Sequence, residues 1–115
     1  MTPYNVVFHV DKRDGSIAVA FTNAINYALA LTNKEFSMAL VINSAAVSEI
    51  VAENKTIGTK LENAVAHGLR IFVCENALRT NGIQAEALYP QCETVPAGIV
   101  KIVELQQNGY AYIKP

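Results

Sequence analysis

The segment RIFVCENALRTNG, residues 70–82, sets a cysteine where an apolar run stops. Ile71, Phe72 and Val73 read as a strand, Cys74-Glu75-Asn76 breaks it, and Ala77–Thr80 begins a short helix. A thiol at a strand-to-helix junction lies near the N–H groups of the helix start, whose partial positive charge favours thiolate, the nucleophilic form. Asn76 adds a side-chain donor and Arg79, about one turn on, a positive charge, whereas the Glu75 carboxylate disfavours the thiolate. Position alone leaves two readings open, a thiol in use and a small core residue, because free cysteine is among the most buried residue types.

The remaining candidates carry less chemistry. Cys92 precedes Thr94-Val95-Pro96 and reads as a small residue in a turn near a helix start; no base or cation stands beside it. To resolve an adduct on Cys74 it would need a Cα separation of no more than about 7 Å. His9, within the apolar FHV, is a hydrogen-bonded core residue or points to the rim. His67 before Gly68 reads as a helix-capping histidine. Asn43 and Ser44 follow an apolar strand and so fall at its carboxyl end. Neither CxxC nor Cys/His zinc spacing is present, and no metal or cofactor is expected. The loop DKRDGS, residues 11–16, joins a strand to a helix but lacks GxGxxG and the Walker spacing, and its two aspartates repel phosphate.

Composition narrows the function classes. The chain has 115 residues, one domain's worth over 1–115, with 51% hydrophobic and only 17% charged residues and a net charge of −1. No basic patch exists to track nucleic acid. The opening MTPYNVVFHVD lacks the basic start of a signal peptide. Ser16–Thr32 is charge-free but too polar and short for a bilayer span. A cytoplasmic location is expected, where thiols stay reduced.

The elements that must position these residues alternate. Tyr4–Val10 reads as a strand. Ser16 caps a helix to Asn33 with Ile17, Phe21, Ala24, Ile25, Ala28 and Leu31 inward. Phe36–Ile42 is a second strand, followed by a weak helix to about Asn54 and a firmer one over Lys60–His67. Ile71–Cys74 is the third strand and Ala85–Tyr89 the fourth. Thr94 caps a last helix, with Pro96 in its first turn and Ile99, Ile102 and Val103 inward. Tyr110–Ile113 closes the chain. Five strands alternating with helices predict an α/β fold, a three-layer α/β/α sandwich around a mostly parallel sheet. Ligands to such sheets gather at the carboxyl ends of the strands. That edge collects His9 and Asp11, Asn43 and Ser44, Cys74, Glu75 and Asn76, and Cys92 with Tyr89, Gln91 and Glu93. The helix Ser16–Asn33 has no charge between Asp14 and Lys34, and its outer face is expected to pack on another subunit.

The stretches VVFHVD, ALVINSAAV, GLRIFVCENAL and VPAGIVKIVELQQNGYAYIKP, spread over nearly the whole chain, make it similar to the DsrE/DsrF-like family, in particular its small YchN-like single-domain members. The resemblance implies a five-stranded, largely parallel sheet and a homotrimer or homohexamer. It also implies that a cysteine at the position of Cys74 accepts sulfur as a persulfide and hands it to a partner. A hydroxyl residue often follows the asparagine in the family pattern; Ala77 stands there in this chain. The function expected is a sulfur carrier acting through Cys74 between a donor and an acceptor protein, supported by Asn76 and with Cys92 as the possible resolving thiol. A non-catalytic oligomeric module with a small-ligand or partner-loop pocket is the alternative.

Overall fold

The computed structural model describes residues 3–115. Five parallel strands, β1 (Val6–Val10), β2 (Met38–Ile42), β3 (Leu69–Cys74), β4 (Cys92–Val95) and β5 (Ala111–Ile113), form one sheet in the order β4-β3-β2-β1-β5. Every residue of β1 and β2 is buried, as a strand covered on both faces requires, and this explains their sequences VVFHV and MALVI, apolar but for His9.

The helices α1 (Ser16–Ala30) and α2 (Gly58–Ala66) lie side by side on one face. Ile17, Phe21, Ala24 and Ala28 recur every three to four residues, so they line one stripe of α1 and meet Phe8, Val10 and Leu40 in the larger core. Full burial of Phe21 or Ile17 contributes about 1.5–3 kcal/mol each. Ile25 packs on the margin of that core and is half-buried, and Leu31 is half-buried because the helix ends at Ala30 and Leu31 already leaves it. Its N-cap is Gly15, at φ +85°, a left-handed conformation that glycine adopts without cost. The Asp14 carboxylate accepts from the Ser16 N–H and hydroxyl, so the capping acceptor is Asp14 and not Ser16. His67 instead holds its expected place, its Nδ1 at 2.7 Å from the Asn63 carbonyl at the end of α2.

Among the described residues the opposite face carries a single helix, α4 (Gly98–Gln107), whose Ile102 and Leu105 pack on Val7, Ala39, Val41 and Phe72. Ile99 and Val103, expected inward, face out, since the sheet beneath is met only by the Ile102–Leu105 side.

The largest departure from the sequence reading is β4. Ala85–Tyr89 is not a strand: Ala85–Ala87 makes a 3-10 turn and Leu88 a lone antiparallel bridge to Val51. The edge strand is Cys92–Val95, which includes Thr94, so Thr94 is no helix cap. Ala97 takes that position and Pro96 lies before the helix. CETV lacks an apolar run because an edge strand buries little; its backbone pairing with β3 makes it a strand. The weak helix after β2 is a 3-10 segment, Ser44–Glu49.

Candidate functional site

The chain's connections part at the carboxyl edge between β3 and β4. After β3 the short α3 (Glu75–Thr80) packs with the larger core through Ala77 and Leu78. After β4 the chain crosses to the other face, and α4 carries it back over the sheet to β5 beside β1. Where neighbouring strands send their connections to opposite faces, a crevice opens beyond their carboxyl ends. Here it is a cleft of about 510 Å³ bordered by Asn43, Cys74, Asn76, Asn81, Gly98 and Ile99.

Cys74 is the last residue of β3 and the N-cap of α3, with an extended backbone and no side-chain capping bond. Its residue is only 6% exposed, so the thiol sits in the wall of the cleft and not out on a rim. Gly98 makes room beside it. A Cβ on Gly98 would stand 3.2 Å from the Cβ of both Cys74 and Asn43 and 3.3 Å from Val41 Cγ1. The start of α4, at Ala97, Gly98 and Ile99, therefore borders the cleft beside the Cβ of Cys74, and first-turn N–H groups have no partner within their own helix.

The side chains that line the cleft with the thiol are neutral, and in two of its amides, Asn43 and Asn76, the oxygen is the engaged atom. Asn43 Oδ1 is held by His9 Nε2 at 2.9 Å, and Asn76 Oδ1 accepts from the Arg79 guanidinium. Both amides thus have their oxygens engaged and their NH₂ groups left over. Asn81 Nδ2 donates to the Ala77 carbonyl at 2.8 Å and to the Ser44 carbonyl at 3.3 Å, tying the end of α3 to the turn after β2. That turn is tight, with Ser44 at φ +52°, a left-handed conformation uncommon for a residue with a side chain.

His9 is buried, and both ring nitrogens are engaged: Nδ1 lies 2.6 Å from Tyr112 Oη and Nε2 2.9 Å from Asn43 Oδ1. Tyr112 on β5, His9 on β1, Asn43 after β2 and Cys74 on β3 follow one another across the sheet in strand order. Alternation puts Val7 and Val41, the neighbours of His9 and Asn43, on the α4 face, and these polar residues share it.

The structure brings Asn43, Ser44, Cys74 and Asn76 together at the cleft, with Arg79 behind Asn76 and His9 behind Asn43. It does not bring Cys92. Cys92 pairs with Ile71 and Cys74 with Val95, so three residues of strand, about 10 Å, separate the thiols. That exceeds the reach of a disulfide, and the odd offset turns the two side chains to opposite faces. Burial pushes the Cys92 thiol up to about 12, which keeps it protonated. Gly98, Ala97, Asn81 and Thr80 line the cleft without having been singled out in the sequence. Gly98 and Ala97 were hidden by the misplaced fourth strand; the ENALRTN spacing, with Asn81 one turn beyond Ala77, was the available signal for Asn81. Among the described residues, no three His, Cys, Asp or Glu side chains converge as a metal site.

No curated protein matches the chain. Among solved structures it is similar to the protein of unknown function MTH1491 from Methanobacterium thermoautotrophicum, with 28% identity over 97% of this chain and 99% of that one and a TM-score of 0.87. The ychN protein from E. coli shares the fold at 16% identity and a TM-score of 0.76, covering 100% of both chains. So does the conserved protein of unknown function BT1422 from Bacteroides thetaiotaomicron, at 14% identity and a TM-score of 0.71, over 96% of this chain and 94% of that one. The model of the DsrE/DsrF-like family matches residues 6–115, taking in every strand, the cleft and Cys74, and the chain belongs to the DsrE/DsrF-like family.

Proposed function

We propose that the protein is a sulfur carrier whose Cys74 holds a persulfide between a donor and an acceptor protein. The observation that carries the reading is the place of the thiol, in the wall of the cleft at the point where the sheet's connections diverge. Among the cleft's amides, hydroxyls and small apolar groups, the thiol is the strongest nucleophile once ionised. Two amide NH₂ groups and the start of α4 offer hydrogen bonds to an anionic sulfur.

Each step is an exchange. The Cys74 thiolate attacks the outer sulfur of a donor persulfide, R–S–SH. The new S–S bond forms as the donor's own S–S bond breaks. The donor leaves as R–S⁻, and the proton stays on the transferred sulfur, giving Cys74–S–SH. An acceptor thiolate then attacks that outer sulfur and regenerates the Cys74 thiolate. No net oxidation occurs in either step. A reducing compartment such as the cytoplasm suits this chemistry. Because Cys92 lies out of bridging range, the acceptor thiol comes from another protein.

Self-association belongs to the same reading. Val19 and Leu29 are the large apolar residues that α1 leaves exposed, and α2 packs along its side. On α4, Ile99, Val100 and Val103 are 60%, 53% and 47% exposed, and Tyr112 of β5, in register with Val7 on the same face, adds to the uncovered apolar surface. The α4 face is therefore the better candidate for contact with further copies, in a trimer or hexamer, with Ile99 joining that surface to the cleft.

The cleft's volume, within the range of small-molecule sites, favours as a second reading a non-catalytic module that binds a small ligand. Intact-mass measurement after incubation with a persulfide donor separates the two. The carrier gains the mass of one sulfur on wild type and none on Cys74→Ala. Failure of Cys74 to take up sulfur or to react with iodoacetamide in the folded protein overturns the carrier reading and leaves the binding module.

A further inference from the structure

The carrier reading leaves unexplained why a histidine with both ring nitrogens engaged is buried near the Cys74 side of the sheet. We infer that His9, held by Tyr112, is a positioning residue that fixes the Asn43 amide with its NH₂ group toward the sulfur bound on Cys74; this rests on the carrier reading. The logic is one of donors and acceptors. Asn43 Oδ1 can only accept, so the His9 nitrogen facing it at 2.9 Å, Nε2, carries the proton. In the neutral ring Nδ1 is then an acceptor, and the Tyr112 hydroxyl at 2.6 Å donates to it. With its oxygen committed to His9, Asn43 is left with its two N–H donors. Asn43 lines the cleft, and its Cβ and that of Cys74 both border the spot that a side chain on Gly98 would fill. A terminal persulfide sulfur on Cys74, an acceptor when ionised, thus has a donor preset against it. Without His9 the amide is free to turn its oxygen toward the sulfur, where it would repel it.

Tyr112 ties this device to the last strand. Its backbone pairs with Val7 of β1, and its ring is tilted against His9 with centroids 5.7 Å apart. The row Tyr112–His9–Asn43 therefore reaches the site only when β5 is docked on β1.

The test compares wild type, Asn43→Ala, His9→Leu, His9→Gln and the Asn43→Ala/His9→Leu double variant, with Tyr112→Phe added because its partly exposed ring tolerates the change should His9→Leu fail to fold. The rate of sulfur uptake by Cys74 from a persulfide donor should fall about tenfold or more in Asn43→Ala and in His9→Leu. The double variant should be no slower than the worse single one. His9→Gln, which keeps an N–H for Asn43, should recover most of the rate, and Tyr112→Phe should show a smaller loss. NMR of the unloaded protein supplies a second readout: the Asn43 side-chain NH₂ pair should lie away from free-amide shifts and exchange slowly with solvent in wild type and His9→Gln, and should move toward free-amide shifts with faster exchange in His9→Leu or, less completely, Tyr112→Phe. Unchanged Asn43 resonances in His9→Leu and Tyr112→Phe, or additive rate losses in the double variant, would overturn the inference. If wild-type Cys74 takes up no sulfur while the resonances behave as described, the carrier reading falls and the positioning of Asn43 stands.

Discussion

Gly98 leaves little room for a side chain against Cys74: a Cβ on Gly98 would stand 3.2 Å from the Cβ of Cys74. The first residue of α4 thus decides how much space remains beside Cys74 in the cleft. Gly98→Ala gains some helix propensity, up to about 1 kcal/mol, but pushes on Cys74, Asn43 and Val41 together, and overpacking costs about 1–3 kcal/mol. A net loss of about 1 kcal/mol is expected for alanine and a larger one for Gly98→Val, seen as a lowered urea midpoint. Iodoacetamide should modify Cys74 more slowly in both variants, with valine the slower. An unchanged modification rate in a folded Gly98→Val protein would show that access to the thiol lies elsewhere.

Cys92 should behave as an inert thiol with a signature in alkaline stability. Burial raises it from 9.0 to about 12 in the folded state. Between those values the unfolded chain has lost the proton that the native one keeps, so stability is full below about pH 9 and falls as pH rises, by up to about 1.4 kcal/mol per pH unit. Tyr27, also raised by burial, adds a loss of the same sign above its ordinary value of 10.0. Urea midpoints from pH 8.5 to 10 should decline in wild type and decline less in Cys92→Ala. Equal slopes in the two proteins would refute the assignment to Cys92.

The α4 face gives a direct test of assembly. Val100 and Val103 are half-exposed and make no part of the two cores, so Val100→Glu and Val103→Glu should leave the melting temperature of the subunit nearly unchanged. In a trimer or hexamer built on this face they place buried, unpaired carboxylates at the boundary and should dissociate it to monomers in sedimentation velocity. The matching substitution on the first helix, Leu29→Glu, should leave the assembly intact. The reverse pattern would return the interface to α1.

Much of this molecule was legible in its residues. β1 and β2 announce themselves because parallel strands covered on both faces must be apolar nearly throughout, β3 by its run Ile71–Val73, and α1 because one stripe of it must recur every three to four residues. Cys74 stood out for the same reason: an apolar run has to stop where a strand leaves the core, and the residues just beyond that point lie at the ligand-binding edge. The edge strands were another matter. CETV buries too little to carry a pattern, and the more apolar Ala85–Tyr89 drew the assignment away from it.

That local error had a distant cost. Placing β4 too early sent Cys92 to the same edge as Cys74 and hid Gly98 as the residue set against Cys74. The partnership of His9 with Asn43 and Tyr112, separated by 34 and 103 positions, leaves no mark in local periodicity. Residue order determined the layers, the central strands and the one prominent thiol, because burial imposes a period that composition records. Only tertiary structure decided which side chains share a face of the sheet and how deeply the thiol sits, because strand order and register are set by pairing between segments far apart in the chain.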